Sequence, residues 1–186
     1  MQIRSLVKQC VFISLISMLS VAQAADPSEP HEHQGIIPSY KGEPPRITLT
    51  PEEEKIVNSG DYVRKQVEND KQGSGAVVFR VDAPPSVVWS VIRDFPSYPK
   101  WIKTLSECEV YRKKDDRINV RFVLSTWGQR IEYFITHKYP ASENWGTWTL
   151  DYSKNSDLDD SVGYWRVTPW PNDPNKSRVE YSVGIA

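Results

Sequence analysis

Cysteine is nearly absent from this chain: 186 residues hold two, Cys10 and Cys108. Cys10 falls in the first two dozen residues, which read as a segment removed on export, so Cys108 would stand alone in the mature chain. An intramolecular disulfide is thereby excluded, and stability in an oxidising compartment must come from a packed core. Net charge is scarce too, at −1. Removal of Arg4 and Lys8 with the leader takes it to −3, which argues against a nucleic-acid binder, since such proteins use surplus cations to displace counterions from phosphates. Long apolar runs are also missing. Val11 to Val21 is about half of the roughly 20 residues that a membrane span requires. No GxSxG, P-loop, Rossmann or zinc-ligand pattern occurs, so no cofactor is implied and no metal site or catalytic residue is assigned.

What is present begins with a signal peptide. Met1 to Lys8 carries two cations and no acid, an apolar stretch follows, and Ala22-Gln23-Ala24 offers the small residues of a cleavage site. Cys10 precedes the apolar core instead of following it, which disfavours a lipoprotein. The expected location is the periplasm or the exterior. Residues 25–49 are rich in proline and polar side chains and are expected to form a flexible leader. Their His31-Glu32-His33 run gives too few fixed ligands for a structural metal site. Residues 50–72 are expected to hold a helix and a linker: Thr50 can cap, Pro51 suits the first turn, and Glu52 to Glu54 meet the positive end of the dipole.

From Gly73 the pattern changes. Val77, Phe79 and Val81 alternate with polar neighbours as in a half-buried strand, and Pro84-Pro85 opens a helix with an apolar stripe at Val87, Val88, Val91 and Ile92. Asp94-Phe95-Pro96 ends it, and Ser97 to Ile102 suggests a second short helix. From Thr104 onward the period is two. A turn with Gly128-Gln129 at its centre would set Leu124 opposite Tyr133, Phe122 opposite Ile135, Val120 opposite His137 and Ile118 opposite Tyr139. That register sorts an apolar face from a polar one. Further strands are expected at Trp145 to Tyr152, Val162 to Pro169 and Ser177 to Ile185. The loop acids Asp157, Asp159 and Asp160 lack calcium-loop spacing and read as solvent-exposed. Arg130 and Glu132, two apart on one strand, read as a solvated pair. Cys108 reads as a buried small hydrophobe.

The run Val81-Asp82-Ala83-Pro84-Pro85-Ser86-Val87-Val88-Trp89, continued through Asp94-Phe95-Pro96-Ser97-Tyr98-Pro99-Lys100-Trp101, resembles the opening motif of the START and polyketide-cyclase (SRPBCC) superfamily. Gly163-Tyr164-Trp165-Arg166-Val167-Thr168-Pro169 with Ser177-Arg178-Val179-Glu180-Tyr181 resembles the strand pair of its coenzyme Q-binding and cyclase branches, with Ser177 where that pattern has Thr. The resemblance spans about residues 73–186. It implies an α+β helix-grip fold: a curved antiparallel sheet of about seven strands, with two short helices after the first. The family's members end with a long helix across the concave sheet, whereas this sequence stops at Ala186 in or just after the last expected strand; either it is a fragment or another element is expected to cover the cavity.

The family's cavity holds a lipid, isoprenoid, sterol or polyketide. Inward-facing apolar strands alone serve a packed core or a cavity equally. The resemblance therefore supplies the expectation of ligand binding, with Trp89, Tyr98, Trp101, Val120, Phe122, Leu124, Tyr133, Ile135, His137 and Trp165 as candidate ligand-binding residues. Trp89, Phe95, Tyr98 and Trp101 could line the mouth, where amphipathic rings suit transient contact with a membrane, although Trp89 reads more readily as a core residue. Three functions are carried forward: exported non-catalytic binding or transport of a hydrophobic small molecule or lipid, a cyclase or aromatase with His137 or a tyrosine moving a proton, and an envelope module docking a protein partner of unknown identity.

Overall fold

The computed structural model describes residues 25–68, 72–126, 128–141 and 144–186; the expected signal peptide, residues 1–24, lies outside them. Helix α1 spans Pro51–Asn58, and Thr50 closes it with a full capping box: Glu53 N–H donates to Thr50 Oγ1 and Thr50 N–H to Glu53 Oε2. Strand β1, Tyr62–Glu68, follows directly. The sequence reading placed a linker there. Among its described side chains only Val63 is buried, against Val57 and Val78; Tyr62 and Val67 are exposed, and Val63 and Val67 stand four apart with charged and polar residues between them, which gives no readable alternation.

Strand β2 (Gly73–Val81) leads into helix α2 (Pro85–Ile92) and a 3₁₀ helix, Phe95–Lys100. A second short helix was expected at Ser97 to Ile102; it starts two residues earlier and is of the 3₁₀ type. Pro96 and Pro99 each lack an N–H, so the segment cannot sustain the i→i−4 ladder. Val87, assigned to the apolar stripe of α2, is instead 43% exposed, while Val88 and Ile92 are buried. Strands β3 (Leu105–Lys114), β4 (Arg117–Thr126), β5 (Gln129–Lys138), β6 (Trp145–Leu150), β7 (Ser161–Trp170) and β8 (Asp173–Ile185) complete one eight-stranded antiparallel sheet in the order β1-β2-β8-β7-β6-β5-β4-β3. This is the expected α+β architecture with one strand more than anticipated.

The β4–β5 hairpin keeps its expected faces with different partners. Thr126 pairs with Gln129, so Gly128, at φ +79°, is the second residue of the turn and not the first. Cross-strand pairs therefore slip by two: Phe122 faces Tyr133, Val120 faces Ile135 and Ile118 faces His137. A slip of two preserves the side-chain face. It also brings the Phe122 and Tyr133 rings into a stack at 5.2 Å and 13°. Trp127 lies outside the described residues.

The leader is not loose. Residues 25–49 lie along the outer face of β7 and β8 and along the loop before β7, fixed by specific bonds. Asp160 is fully buried, not exposed; its carboxylate accepts the Ile36 and Ile37 amides at 2.7 Å each and the Tyr152 hydroxyl at 2.8 Å. Asp157 likewise accepts Glu132 N–H at 2.7 Å and Ala25 N–H at 2.8 Å. These acids satisfy backbone donors that packing has removed from water. Further along, the Tyr164 hydroxyl donates to Pro45 O at 2.8 Å, and Arg166 reaches Glu43 at 2.5 Å and the Pro44 carbonyl. Ile47 N–H donates to Glu180 at 3.0 Å. Residues 161–167 of β7 are accordingly buried without a break, one face on the core and the other under this strap.

Candidate functional site

The inner face of the sheet carries the main core, which the two short helices close at one side. Within it lies a cavity of about 80 Å³. From the 3₁₀ helix come Phe95 and Tyr98; from β4 and β5 come Phe122, Tyr133, Ile135 and His137. Trp148, Trp165 and Ser161 contribute from β6 and β7, and Tyr181, Val183 and Ile185 from β8, with Leu158 from the loop before β7. No Asp, Glu, Lys or Arg lines it. An engineered apolar cavity that accepts benzene is about 150 Å³. The aromatic rings thus fill most of the space that the curved sheet encloses.

Two glycines let those rings lie flat on the sheet. Gly163 pairs with Trp148, and a Cβ there would collide with the indole and with Ser182 O. A Cβ at Gly146 would collide with the Tyr139 ring. Trp148 donates from Nε1 to Ser161 Oγ at 3.3 Å and stacks on Tyr181 at 5.4 Å. Tyr98 is locked from the other side, its hydroxyl donating to Ile92 O at 2.6 Å.

His137 is held by rings: Phe95 at 4.7 Å, Tyr139 nearly parallel at 5.9 Å, Trp148 at 6.1 Å and Phe122 at 6.2 Å. Its Nδ1 is buried without a hydrogen-bond partner. Burial pulls its pKa down to about 3, against a smaller opposing effect of a hydrogen bond to the Ile118 backbone. Burial pushes the Tyr98, Tyr133 and Tyr139 phenols above their ordinary range, and the Cys108 thiol up to about 12. Cys108 is thus a half-buried, protonated thiol packed against the core.

Of the ten candidate residues, Tyr98, Phe122, Tyr133, Ile135, His137 and Trp165 line the cavity. The other four do not. Val120 and Leu124 are buried in the core beyond the lining. Trp89 packs at 5.8 Å from Tyr139 with the Arg93 guanidinium 4.9 Å from its ring, and Trp101 lies 4.8 Å from Tyr98. Both are partly buried; Trp101 is one ring removed from the cavity, behind Tyr98, and Trp89 lies behind Tyr139, which does not line it. Sequence reasoning missed Trp148, Leu158, Ser161, Tyr181, Val183 and Ile185. The alternation of β8 already set Tyr181, Val183 and Ile185 on one face; what it lacked was which face looks inward. Among the described residues no group of three or more His, Cys, Asp or Glu could hold a metal. His31 is committed elsewhere, its Nε2 at 2.8 Å from Asp159 O.

Residues 81–185 match the family described as polyketide cyclase/dehydrase and lipid transport. The chain belongs to that family. No curated protein matches it. Among solved structures, Zhui aromatase/cyclase from Streptomyces sp. R1128 is similar with TM-score 0.53 and 14% identity, covering 62% of this chain and 68% of that one. A STAR-related lipid transfer protein from Xanthomonas axonopodis gives 0.51 at 16% identity over 66% and 73%. A START superfamily protein from Mycobacterium smegmatis gives 0.50 at 19% over 67% and 76%. At these identities they establish the START-like fold that the opening motif suggested. A fold of this family is suited to hydrophobic ligand binding or to cyclase chemistry.

Proposed function

We propose that this chain is exported and binds or transports a hydrophobic small molecule or lipid without chemical change, inside the cavity of its START-like domain. The observation that carries the reading is a cavity wall of aromatic and aliphatic side chains with no charged group and a few polar atoms, the composition of a ligand pocket. Two of its titratable groups, His137 near 3 and Tyr133 above its ordinary range, are far from neutrality. An efficient general acid or base titrates near the working pH, which disfavours the cyclase alternative. The partly buried Trp89 and Trp101, packed against the core, are the rings through which transient membrane contact would occur.

Two experiments test this. Cells expressing the full chain are fractionated; a product shortened by cleavage after Ala24 in the exported fraction supports export, and an uncleaved cytoplasmic product overturns it. The protein purified without detergent is then extracted with organic solvent and analysed by mass spectrometry. A stoichiometric hydrophobic compound, recovered unaltered after incubation, is the expected result. Absence of any compound, together with no binding of neutral aromatic or lipid probes, overturns the binding reading.

A further inference from the structure

The leader begins on a carboxylate that has no cation. Asp157, partly buried in the loop before β7, accepts Ala25 N–H at Oδ1, 2.8 Å away, and Glu132 N–H at Oδ2, 2.7 Å away; its own N–H donates to Glu132 O at 2.8 Å. Both oxygens thus meet main-chain donors, and among the described residues no Lys or Arg pairs with them. Arg121 and Arg130 pair with the Glu132 carboxylate instead, and Lys154 lies over the Tyr111 and Phe134 rings. A carboxylate drawn partly out of water gains most from a charged donor. Cleavage of the leader supplies one. Ala22 and Ala24 are the small residues that place the cut before Ala25. Water adds across the Ala24–Ala25 peptide bond, its oxygen leaves in the Ala24 carboxylate, and the Ala25 nitrogen is left as an ammonium at pH 7. The cut read from the sequence and the carboxylate found in the structure meet at one nitrogen.

We propose that Asp157 is the binding site for the chain's own new amino terminus: the α-ammonium of Ala25 pairs with it after cleavage and fastens the loop that carries Leu158 into the cavity wall. This rests on the export reading, which supplies the cleavage. Before the cut, the same nitrogen is a neutral amide with a single N–H. Afterwards it is a cation with three donors, and its bond to the carboxylate becomes one between opposite charges. The loop gives the pair its reach. Leu158, next to Asp157, and Ser161 both line the cavity. Residues 25–31 run along the same loop: Asn155 N–H donates to Glu29 O at 2.7 Å, His31 N–H to Tyr152 O at 3.1 Å, and His31 Nε2 lies 2.8 Å from Asp159 O. The bond at Ala25 is therefore the end of a row that ties the leader to the loop. Fixing that end holds the row closed.

The test takes the processed protein from the exported fraction and first determines its amino-terminal residue. A start at Ala25 is expected. An uncleaved product overturns the export reading and this proposal together, whereas a start at any other residue overturns this proposal and leaves export standing. The α-amine is then acetylated at about pH 6.5, where lysines stay protonated and unreactive. Hydrogen exchange at the Glu132, Asn155 and His31 amides is expected to become about tenfold faster once the charge is gone, the difference between a charged and a neutral donor. Reductive methylation of the amine, which adds bulk and keeps the charge, should leave exchange slow. In Asp157→Asn, acetylation should change nothing further, because the two changes remove the same pair. Equal exchange with and without the acetyl group, equal acceleration by methylation, or an undiminished acetylation effect in Asp157→Asn overturns the proposal. Should Asp157→Asn not fold, the acetylated and methylated forms of the unsubstituted protein still decide.

Discussion

The two faces of the sheet solve the same problem in opposite ways. On the inner face, rings pack against rings around a small cavity, and two buried polar atoms, His137 Nδ1 and Tyr139 Oη, have no hydrogen-bond partner among the described residues. On the outer face of β7 and β8, charged groups are buried and almost every one is bonded. Arg166 and Glu180 have side chains only 2% exposed, yet Arg166 reaches Glu43 and Pro44 O while Glu180 accepts from Ile47 and Arg178. Arg178 in turn pairs with Glu54 at 2.9 Å. The outer face is not free of loose ends either, since Arg166 Nε and Trp145 Nε1 are buried without a hydrogen bond; the difference lies in the charges, which are buried and paired there and absent from the cavity wall. The contrast separates a face built for occupancy from one built for attachment of the strap.

The sharpest way to break this comparison is to remove one outer charge. Glu180→Leu removes the acceptor shared by Arg166, Arg178 and the Ile47 amide; Arg166 keeps Glu43 and Pro44 O and Arg178 keeps Glu54, so the loss is expected at the low end for a broken buried pair, about 3 kcal/mol. Urea unfolding measures it, and faster hydrogen exchange at Ile47 should accompany it. The double variant Arg166→Met/Glu180→Leu should recover at least half, because well-packed apolar pairs replace buried ion pairs with little loss. A loss below about 1 kcal/mol in the single variant would mean that the charges are not what holds the strap.

On the inner face the largest effect is in the pH dependence. His137 has a folded pKa of about 3 against an ordinary value of 6.5. Its folded form therefore binds a proton less readily than its unfolded form, and stability falls as pH drops below the unfolded value. Between pH 7 and pH 4 that amounts to about 3 kcal/mol at 1.4 kcal/mol per unit. His137→Phe should lose that much less over the same interval in urea titrations. Parallel pH profiles for the two proteins would show that the imidazole is hydrated in the folded state and that the inner face is not dry.

Next comes Gly163→Ala. The added methyl meets both the Trp148 indole and the Ser182 backbone carbonyl, so the side chain and the β8 backbone must both shift. Overpacking of this kind costs about 2 kcal/mol, read by thermal unfolding, and a displaced Trp148 would change tryptophan emission and ligand affinity. Unchanged emission and affinity would show that the cavity wall has slack, contrary to the close fit of ring on glycine.

How much of this was legible in the sequence follows from the range of each interaction. Alternation fixed which residues of β4 and β5 share a face, because period two is local, and the family motif around Trp89 and Tyr98 gave the fold. The turn register slipped by two because a single glycine serves either central position of a two-residue turn; only its partner strand decides. Asp160, Glu180 and Arg166 looked like ordinary polar positions since their partners, Ile36, Ile47 and Glu43, stand more than 120 residues away. The strap itself has no periodicity to read, as it is held by backbone amides and carbonyls meeting side chains of the sheet. His137 was assigned to the inner face correctly, but the rings around it come from the 3₁₀ helix, β4, β6 and the residue after β5, which no local pattern brings together.

The smallest predicted effect isolates what the strap does. Two Arg-x-Glu pairs sit on the outer face: Arg130 with Glu132 at 2.6 Å on β5, and Arg178 with Glu180 at 3.2 Å on β8. Their sequence pattern is the same, and β5's geometry is the better of the two. Coverage differs. Arg130 is 49% exposed at its side chain and Arg178 17%. Glu132 also keeps Arg121 as a second partner, so loss of Arg130 strands nothing. Arg130→Ala should therefore cost no more than about 0.5 kcal/mol, and that cost should fade in high salt. Arg178→Ala should cost about 2 kcal/mol, because Glu180 and Glu54 lose a partner that water cannot fully replace, and salt should recover little of it. Equal costs for the two substitutions would mean that strap burial adds nothing to a charge pair of the outer face.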